Sequence, residues 1–338
     1  MAYQTGVSTS PSNLLSLMET RLNTDGWTIV RNNGAAETGS SNQLSVSDPA
    51  PAEGNQYNFV AYDSPAEDAR WEFQPSTGDS GAGAAFYNHT GTPNGTNAAG
   101  THCMFGNSPL STNDQGFSGS SISYHFFSGQ TPSGNRYCHI VLEGTAGVYF
   151  MAMFGTIEKA GTFTGGQYAT GTPYRNTSSG IIWPFQFAPS LSDGTQWIRA
   201  DNLFSSGSPG WRELNGFFSK LGGGGVLNHL YMGGLTASAQ RTPFAPMLVP
   251  FWANDTPSLA STQSALIGHV PDVMICSMDG REPGEVITLG SDNWHIFPVH
   301  RKTVDGTSTT SQAYVNTNVA GSAPNNDSNL QGIAFREP

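Results

Sequence analysis

The densest group of carboxylates in the sequence lies in YDSPAEDARWEF, which contains Asp63, Glu67, Asp68 and Glu72. Two carboxyl groups about 5 to 9 Å apart can hydrolyse a glycosidic bond, one as acid and the other as nucleophile or base. Here the proline before Glu67 and Asp68 predicts a loop, and Arg70 offers them an ion-pair partner. The pattern favours a solvated loop, with a polysaccharide-degrading site as the alternative.

Signatures of a nucleophile or of a phosphate-binding loop are missing from the sequence. There is no G-x-S-x-G elbow, and none of the eight histidines has a recognisable serine or aspartate partner. The glycine-rich segments SSGSPGW and LGGGGVL lack the Lys-Ser/Thr ending of a phosphate-binding loop. We therefore expect a protein that is not an enzyme, with no catalytic residues and no cofactor.

The three cysteines do not form a metal-binding pattern. Cys103, Cys138 and Cys276 are far apart, and no C-x-x-C or H-x-x-x-H spacing accompanies them. We interpret them as buried thiols. The segments DGTQW and SDNW could offer oxygen ligands to calcium, but each alone has too few carboxylates. We expect no bound metal.

Three of the seven tryptophans are candidate interaction residues. Trp183, Trp211 and Trp252 lie near proline and glycine, which predicts loops. Aromatic faces can stack on the apolar faces of sugars, so one interpretation is that these tryptophans form a carbohydrate-binding platform. The reading we favour is that these side chains anchor loops to the core or fill subunit contacts, where aromatic residues are enriched.

The composition indicates a turn-rich β protein. Charged residues make up only 12% of the 338 residues, and there are 41 glycines and 21 prolines. A helical protein of this size normally carries more glutamate, lysine and arginine on its exposed faces. The net charge is −11, and the only basic cluster is His300-Arg301-Lys302, so we expect no nucleic-acid partner, since phosphate contacts need clustered lysine and arginine.

Neither a signal peptide nor a membrane span is predicted. The first residues, MAYQTGVSTSPSNLL, lack a charged region followed by an apolar one. No stretch approaches the roughly 18 continuous apolar residues of a membrane-spanning helix. We expect synthesis in the cytoplasm.

One helix is predicted near the start of the chain. Ser10 suits the N-cap, Pro11 suits the first helical position, and leucine or methionine recurs every four residues from Leu14. Asp25-Gly26 supplies the stop, because glycine tolerates the left-handed conformation that closes a helix.

The most apolar stretch predicts a β-hairpin in the core. It reads YCHIVLEGTAGVYFMAMFGTIEKA over residues 137–160, and its second strand is apolar on both faces over residues 148–154. Such a strand is typical of the centre of a sheet that is covered on both sides. EVITLGSDNWHIFPVHR predicts a second hairpin, and the prolines of FAPMLVPFWA predict an edge strand or an extended loop.

Together these elements predict an antiparallel β-sandwich-like body with one short N-terminal helix and long loops rich in glycine, serine and asparagine. The predicted division is a β-rich part over residues 1–206, a glycine-rich linker over 207–225, and a C-terminal β-rich segment over 226–338. We interpret the linker as a loop, with one helical turn as the alternative. Packing of the C-terminal segment into the same domain is left open.

The order of the segments resembles a group of tailed-bacteriophage virion proteins. These proteins open with a short helix before a GW strand, as residues 11–27 do here. A central strand pair follows at residues 141–155, with a small glycine-rich element at 165–171. SDGTQW at residues 192–197 is similar to the family's Asp-Gly-x-Trp turn, and a closing hairpin precedes a terminal GIAFR strand.

The resemblance implies a non-enzymatic structural subunit of the tail, baseplate or neck, made in the host cytoplasm and incorporated into the virion. Its partners would be copies of itself, in a homo-oligomer, and other phage virion proteins. The family supplies no catalytic residues. The alternative is a carbohydrate-binding receptor module or a polysaccharide-degrading protein of a phage tail, either of which would contact a host surface glycan.

Overall fold

The computed structural model describes residues 2–33, 41–49, 56–62, 70–75, 103–106, 122–143, 149–171, 196–201, 211–213, 244–252, 264–277, 281–298 and 331–337. In this part of the chain, one α-helix accompanies three antiparallel β-sheets, with strands numbered along the sequence. The predicted fold class, mainly antiparallel β with a short N-terminal helix, is confirmed.

The largest sheet, here called the central sheet, has seven strands. In spatial order they are β1 (Ala2–Ser8), β7 (Ile122–Gln130), β8 (Arg136–Glu143), β9 (Tyr149–Thr156), β11 (Thr164–Gly171), β12 (Gln196–Asp201) and β13 (Trp211–Glu213). Its first strand pairs with a strand more than a hundred residues away in the sequence, with Ala2 opposite Ser128 and Ser8 opposite Ile122.

Two further sheets pack on the central sheet. The helix-side sheet has five strands in sequence order, β2 (Thr28–Asn33), β3 (Ser41–Ser47), β4 (Gln56–Tyr62), β5 (Arg70–Pro75) and β6 (Cys103–Gly106). The outer sheet has the order β10 (Glu158–Lys159), β15 (Ser264–Ser277), β18 (Gln331–Glu337), β17 (Asp292–Pro298) and β16 (Glu285–Leu289), and β14 (Ala245–Trp252) also pairs with β15.

The helix α1 (Pro11–Thr24) has the predicted caps at both ends. The Ser10 hydroxyl accepts a hydrogen bond from the backbone N–H of Asn13 at 3.1 Å. At the other end Gly26 has φ +82°, and the N–H of Trp27 donates to the carbonyl of Leu22 at 2.9 Å. This bond and that from Gly26 to Asn23 form a Schellman motif, so the predicted stop at Asp25-Gly26 is confirmed.

The first core lies between the central sheet, the helix-side sheet and α1. Its helical contribution is the apolar stripe predicted from the sequence, with Leu14, Leu15, Met18 and Leu22 all buried. Phe154 of β9 is surrounded by aromatic rings. The ring centres of Tyr57, Trp27 and Phe59 lie 4.9, 5.3 and 5.3 Å from that of Phe154. Full burial of each such ring stabilises the fold by about 2 to 3 kcal/mol.

The second core lies on the opposite face of the central sheet, against the outer sheet. Phe127, Val141, Met151 and Met153 belong to the central sheet, and Val273, Phe297, Ile333 and Phe335 belong to the outer sheet. Phe127 stacks on Phe335 across the interface at 5.2 Å between ring centres. The structure therefore adds a third layer to the predicted sandwich.

The predicted hairpin over residues 137–160 is confirmed as the pair β8 and β9. Tyr137 lies opposite Gly155 and Glu143 opposite Tyr149. In β9, Ala152 and Phe154 enter the first core while Met151 and Met153 enter the second. This alternation explains why the strand is apolar on both faces, since each face meets a different layer.

Two predictions about the later part of the chain have different outcomes. The predicted edge strand in FAPMLVPFWA is confirmed, because β14 pairs only with β15 in the described residues and its register shifts next to Pro246 and Pro250. The optional helical turn within residues 207–225 is wrong for Trp211–Glu213, which forms β13 and pairs with β12. A ladder satisfies backbone groups without the cost of nucleating an isolated helical turn. The boundaries of the three predicted segments stay predictions.

Gly155 provides a test of how closely β8 and β9 are packed. It has φ +134°, and a Cβ there would collide with backbone atoms of Arg136 and Tyr137. Gly134 also has positive φ, +85°, but a Cβ there would meet no heavy atom within 4 Å. We expect Gly155→Ala to reduce the free energy of unfolding by at least about 2 kcal/mol more than Gly134→Ala. Urea denaturation measures both, and equal losses would contradict the described packing.

Candidate functional site

Charged and polar side chains at the end of α1 form a network, here called the helix-end clamp: Arg21, Asp25, Asp48, Ser128 and Arg136. The Asp25 carboxylate accepts hydrogen bonds from Arg21 Nε at 2.6 Å and Nη2 at 2.7 Å, and from the Ser128 hydroxyl. Arg136 donates from Nε to the Asp25 carbonyl at 3.0 Å. The clamp thus joins the helix to β7 and β8.

Asp48 is the most buried charged member of the clamp, with a side chain 1% exposed. It accepts two hydrogen bonds from Arg136, one from the backbone N–H at 2.6 Å and one from Nη1 at 3.1 Å. Two arginines and two aspartates thus balance in charge, and each carboxylate has a cationic partner. We infer that the clamp holds the end of β3 and of α1 against the central sheet, rather than presenting a reactive group.

Two thiols lie in the interior, as predicted. Cys138 and Cys276 are both free and buried. Burial raises the pKa of Cys138 strongly and that of Cys276 to about 12. Both therefore remain protonated and unreactive at neutral pH. Cys103 lies in β6, and its side chain is outside the described part of the structure.

Three histidines lie between the central sheet and the outer sheet, here called the interlayer histidines: His125, His139 and His295. His139 Nε2 is 2.8 Å from the carbonyl oxygen of Pro271. His125 Nδ1 is 2.8 Å from the Tyr3 hydroxyl. His295 Nε2 is 3.2 Å from a carboxylate oxygen of Glu337. Each imidazole thus contacts a group from a different strand.

Burial shifts the pKa of several of these groups. Desolvation lowers the pKa of His125 to about 4, with a smaller contribution from His295, and lowers that of His139 to about 3. Burial also raises the pKa of the Tyr3 phenol. At neutral pH, His125 and His139 are therefore neutral imidazoles and Tyr3 is a neutral phenol.

A phenol, imidazoles and a carboxylate are the groups that general acid–base catalysis uses. Here, however, the ring faces contact one another. The ring centre of Tyr3 lies 4.4 Å from that of His295 and 4.9 Å from that of Phe127, and His125 lies 4.7 Å from Phe297. Because aromatic rings fill the space between the sheets, this arrangement supports packing of two layers rather than a reaction.

The sequence did not single out the interlayer histidines. Each occurs in a strand with an aromatic or aliphatic residue next to it, in YHFF, CHIV and WHIF. A histidine inside such a run is a signal of a buried imidazole. The partners come from strands far apart in the sequence, so the pairings themselves have no local signal.

Two of the three tryptophans that the sequence nominated for sugar or subunit contacts lie in the described residues. Trp183 lies outside the described residues. Trp211 is the first residue of β13, so its expected loop position is wrong. Trp252 is the last residue of β14, within the segment for which an edge strand was also predicted. Both are in strands because their backbones pair with neighbouring strands, Trp211 opposite Arg199 and Trp252 opposite Ser264. Their role in interactions stays a prediction.

One of the four nominated carboxylates lies in the described residues. Glu72 lies in β5, opposite Val60 and Met104, whereas Asp63, Glu67 and Asp68 lie outside the described residues. In the described ranges, no three side chains of histidine, cysteine, aspartate or glutamate are placed to hold a metal ion. No helix in the same ranges has both the length and the apolar character needed to cross a membrane.

The sequence matches no protein-family model and no curated protein, so the assignment of a function rests on its residues and their geometry.

The helix-end clamp predicts a large difference between two charged pairs. We expect Asp48→Ala to lower the free energy of unfolding by about 3 kcal/mol, because it leaves the Arg136 guanidinium without its buried partner. Glu285→Ala, which breaks the more exposed pair with Arg281, is the control and should cost less than about 1 kcal/mol. Both are measured by urea denaturation at pH 7. Similar costs for the two variants would contradict a structural role for the clamp.

Proposed function

We propose that this chain is a non-enzymatic structural subunit of a tailed-bacteriophage virion, in the tail, baseplate or neck. In this role it assembles with copies of itself and with other virion proteins. The observation that carries the proposal is the exposure of hydrophobic side chains on β16, the terminal strand of the outer sheet. Val286 is 48% exposed and Leu289 is 37% exposed.

A terminal strand offers unpaired N–H and C=O groups to another chain. In the described residues β16 pairs with β17 and with no strand on its other side. Natural edge strands are commonly protected by lysine or proline, and β16 reads EVITL, which contains neither. A strand with free backbone groups and exposed aliphatic side chains is suited to pairing with a strand of a neighbouring subunit.

Other features support assembly rather than catalysis. The order of segments resembles that of tailed-phage virion proteins, and the acidic balance suits contacts with protein rather than with packaged DNA. Polar groups of the helix-end clamp hold the helix and the sheets together. A rigid layered body is what a symmetric array needs from each subunit, because repeated contacts then supply the remaining stability.

The oligomeric state of the purified chain tests this proposal. We expect a defined oligomer by light scattering coupled to size-exclusion chromatography, and co-sedimentation with isolated tails of the phage that encodes the chain. The double variant Val286→Lys, Leu289→Lys should raise the dissociation constant of the oligomer at least about 100-fold, because each buried ammonium group would be unpaired.

Leu248→Lys is the matched control for this experiment, since Leu248 is 38% exposed but lies on β14, away from β16. It should leave the dissociation constant within about threefold of the parent value. A chain that stays monomeric at all concentrations and ignores isolated tails would overturn the proposed function. An oligomer that persists in the β16 double variant would place the interface elsewhere.

A further inference from the structure

One buried imidazole connects the central sheet to the outer sheet through a hydrogen bond. His139 lies in the middle of β8, and its side chain is 0% exposed. Its Nε2 lies 2.8 Å from the carbonyl oxygen of Pro271 in β15. We propose that His139 is an acid-sensitive latch: a second proton on its ring releases β15, and with it the outer sheet, from the central sheet.

The latch engages β15 where that strand changes partners. His269 and Gly268 pair with β10, whereas the residues from Val273 onward pair with β18. Between these two halves, Asp272 has φ +56°, a left-handed conformation that is uncommon outside glycine. Irregular positions of this kind persist only where the surrounding structure holds them. His139 therefore acts on the least regular point of the strand.

The break in β15 is held from both sides. On the inner side, the imidazole of His139 donates to Pro271. On the other side, the Asp272 carboxylate accepts a hydrogen bond from Arg336 Nη2 at 2.7 Å, and Asp292 lies 3.6 Å from Nη1 of the same arginine. The carboxylates of the outer sheet near the break are therefore engaged with Arg336 rather than with the imidazole.

The hydrogen bond also fixes which nitrogen carries the proton. A carbonyl oxygen can only accept, so Nε2 of His139 is protonated and Nδ1 is bare in the neutral ring. Nδ1 is buried and has no hydrogen-bond partner. Adding a proton there would create a buried cation whose second N–H has no acceptor, which is costly in an apolar environment.

The groups that face His139 offer no compensation for a positive charge. Phe127 of β7 and Met153 of β9 lie opposite it in the central sheet. Tyr137 stacks on its ring at 5.0 Å and Phe335 of β18 packs at 5.7 Å. The phenol of Tyr137 is the one titratable group among these four side chains, and it is neutral at any pH at which histidine titrates.

Protonation of a second imidazole also destabilises the interface between the central sheet and the outer sheet. His125 faces Tyr3 from β1, and both His295 and Phe297 from β17, so its protonation places a charge beside another histidine. His295 differs, because Glu337 of β18 lies 3.2 Å from its Nε2 and can balance a charge there. His125 therefore reinforces the latch, and His295 does not.

The direction of the pH dependence follows from burial. The pKa of His139 is lowered to about 3 and that of His125 to about 4, both below the value of about 6.5 in an unfolded chain. The neutral rings thus contribute stability that is fully present above pH 6.5. This stability is lost as the pH falls towards 4. For each histidine, the equilibrium constant for opening of the outer sheet rises by up to about tenfold per pH unit.

Only one of the two cores contains these histidines. In the described residues, α1 and the helix-side sheet contain no histidine, and His125 and His139 of the central sheet contact Phe297 and Pro271 of the outer sheet. Acid should therefore separate the outer sheet before it separates the other two layers.

Hydrogen–deuterium exchange on the intact chain tests the latch, with rates corrected for the intrinsic effect of pH. Between pH 7 and pH 4.5, amides of β15, β17 and β18 should exchange at least about 100-fold faster, the factor expected from one histidine held neutral two pH units below its unfolded pKa. Amides of α1, β3 and β4 should change less than about tenfold. Simultaneous loss of protection in both groups would overturn the proposal.

Two variants identify the responsible residue. His139→Gln keeps a donor for the Pro271 carbonyl but cannot titrate, so the acceleration in the outer sheet should become about 100-fold smaller. His269→Gln is the control, because His269 is 40% exposed and should leave the acceleration unchanged. An unchanged acid response in His139→Gln would overturn the proposal.

A measurement on the parent chain keeps the test decisive if His139→Gln does not fold. In the spectrum of the chain labelled with nitrogen-15 at histidine, His139 should remain neutral until the outer-sheet amides lose protection, and then become charged together with that loss. A charged His139 inside a protected outer sheet would overturn the latch.

Discussion

Two strands of the central sheet, β8 and β9, are covered on both faces, so each of the two layers packed on them contributes to the stability of both strands. Phe154 needs the rings supplied by α1's end and the helix-side sheet, and Met153 needs the apolar side chains of the outer sheet. Removing either layer would expose roughly half of the apolar surface of these strands to water. Both layers are therefore positioned through contacts with the same two strands.

Some of the polar groups inside this apolar assembly have specific partners. Asp48 is paired with Arg136 in the helix-end clamp, and the Tyr57 hydroxyl donates to the Gly155 carbonyl at 2.8 Å. These contacts fix how the layers are placed relative to one another, because an apolar interface alone would tolerate sliding. The interlayer histidines act in the same way between the central and outer sheets, with the difference that burial lowers the pKa of His125 and His139.

Local signals made α1 and the two hairpins predictable. Ser10, the apolar spacing from Leu14 and Gly26 act within a few residues of one another, and an apolar run with a turn signal defines β8 and β9 without reference to the rest of the chain. Strand order was not predictable, since β1 pairs with β7 across more than a hundred residues and no pattern in AYQTGVS indicates which strand it pairs with. The third layer and the helix-end clamp were not predictable for the same reason, because their contacts join residues that are far apart in the sequence. Trp211 was misassigned because glycine and proline next to it indicate a loop, whereas its backbone pairs with β12.

The position of β18 has a consequence for synthesis. This strand follows β15 and β17 in the sequence, yet it lies between them in the outer sheet. While the chain is growing on the ribosome, β15 and β17 therefore have no common neighbour, and Val273 and Phe297 cannot be sealed against the second core. The nascent polypeptide therefore exposes apolar surface until residues 331–337 have emerged. During that interval we expect it to bind chaperones.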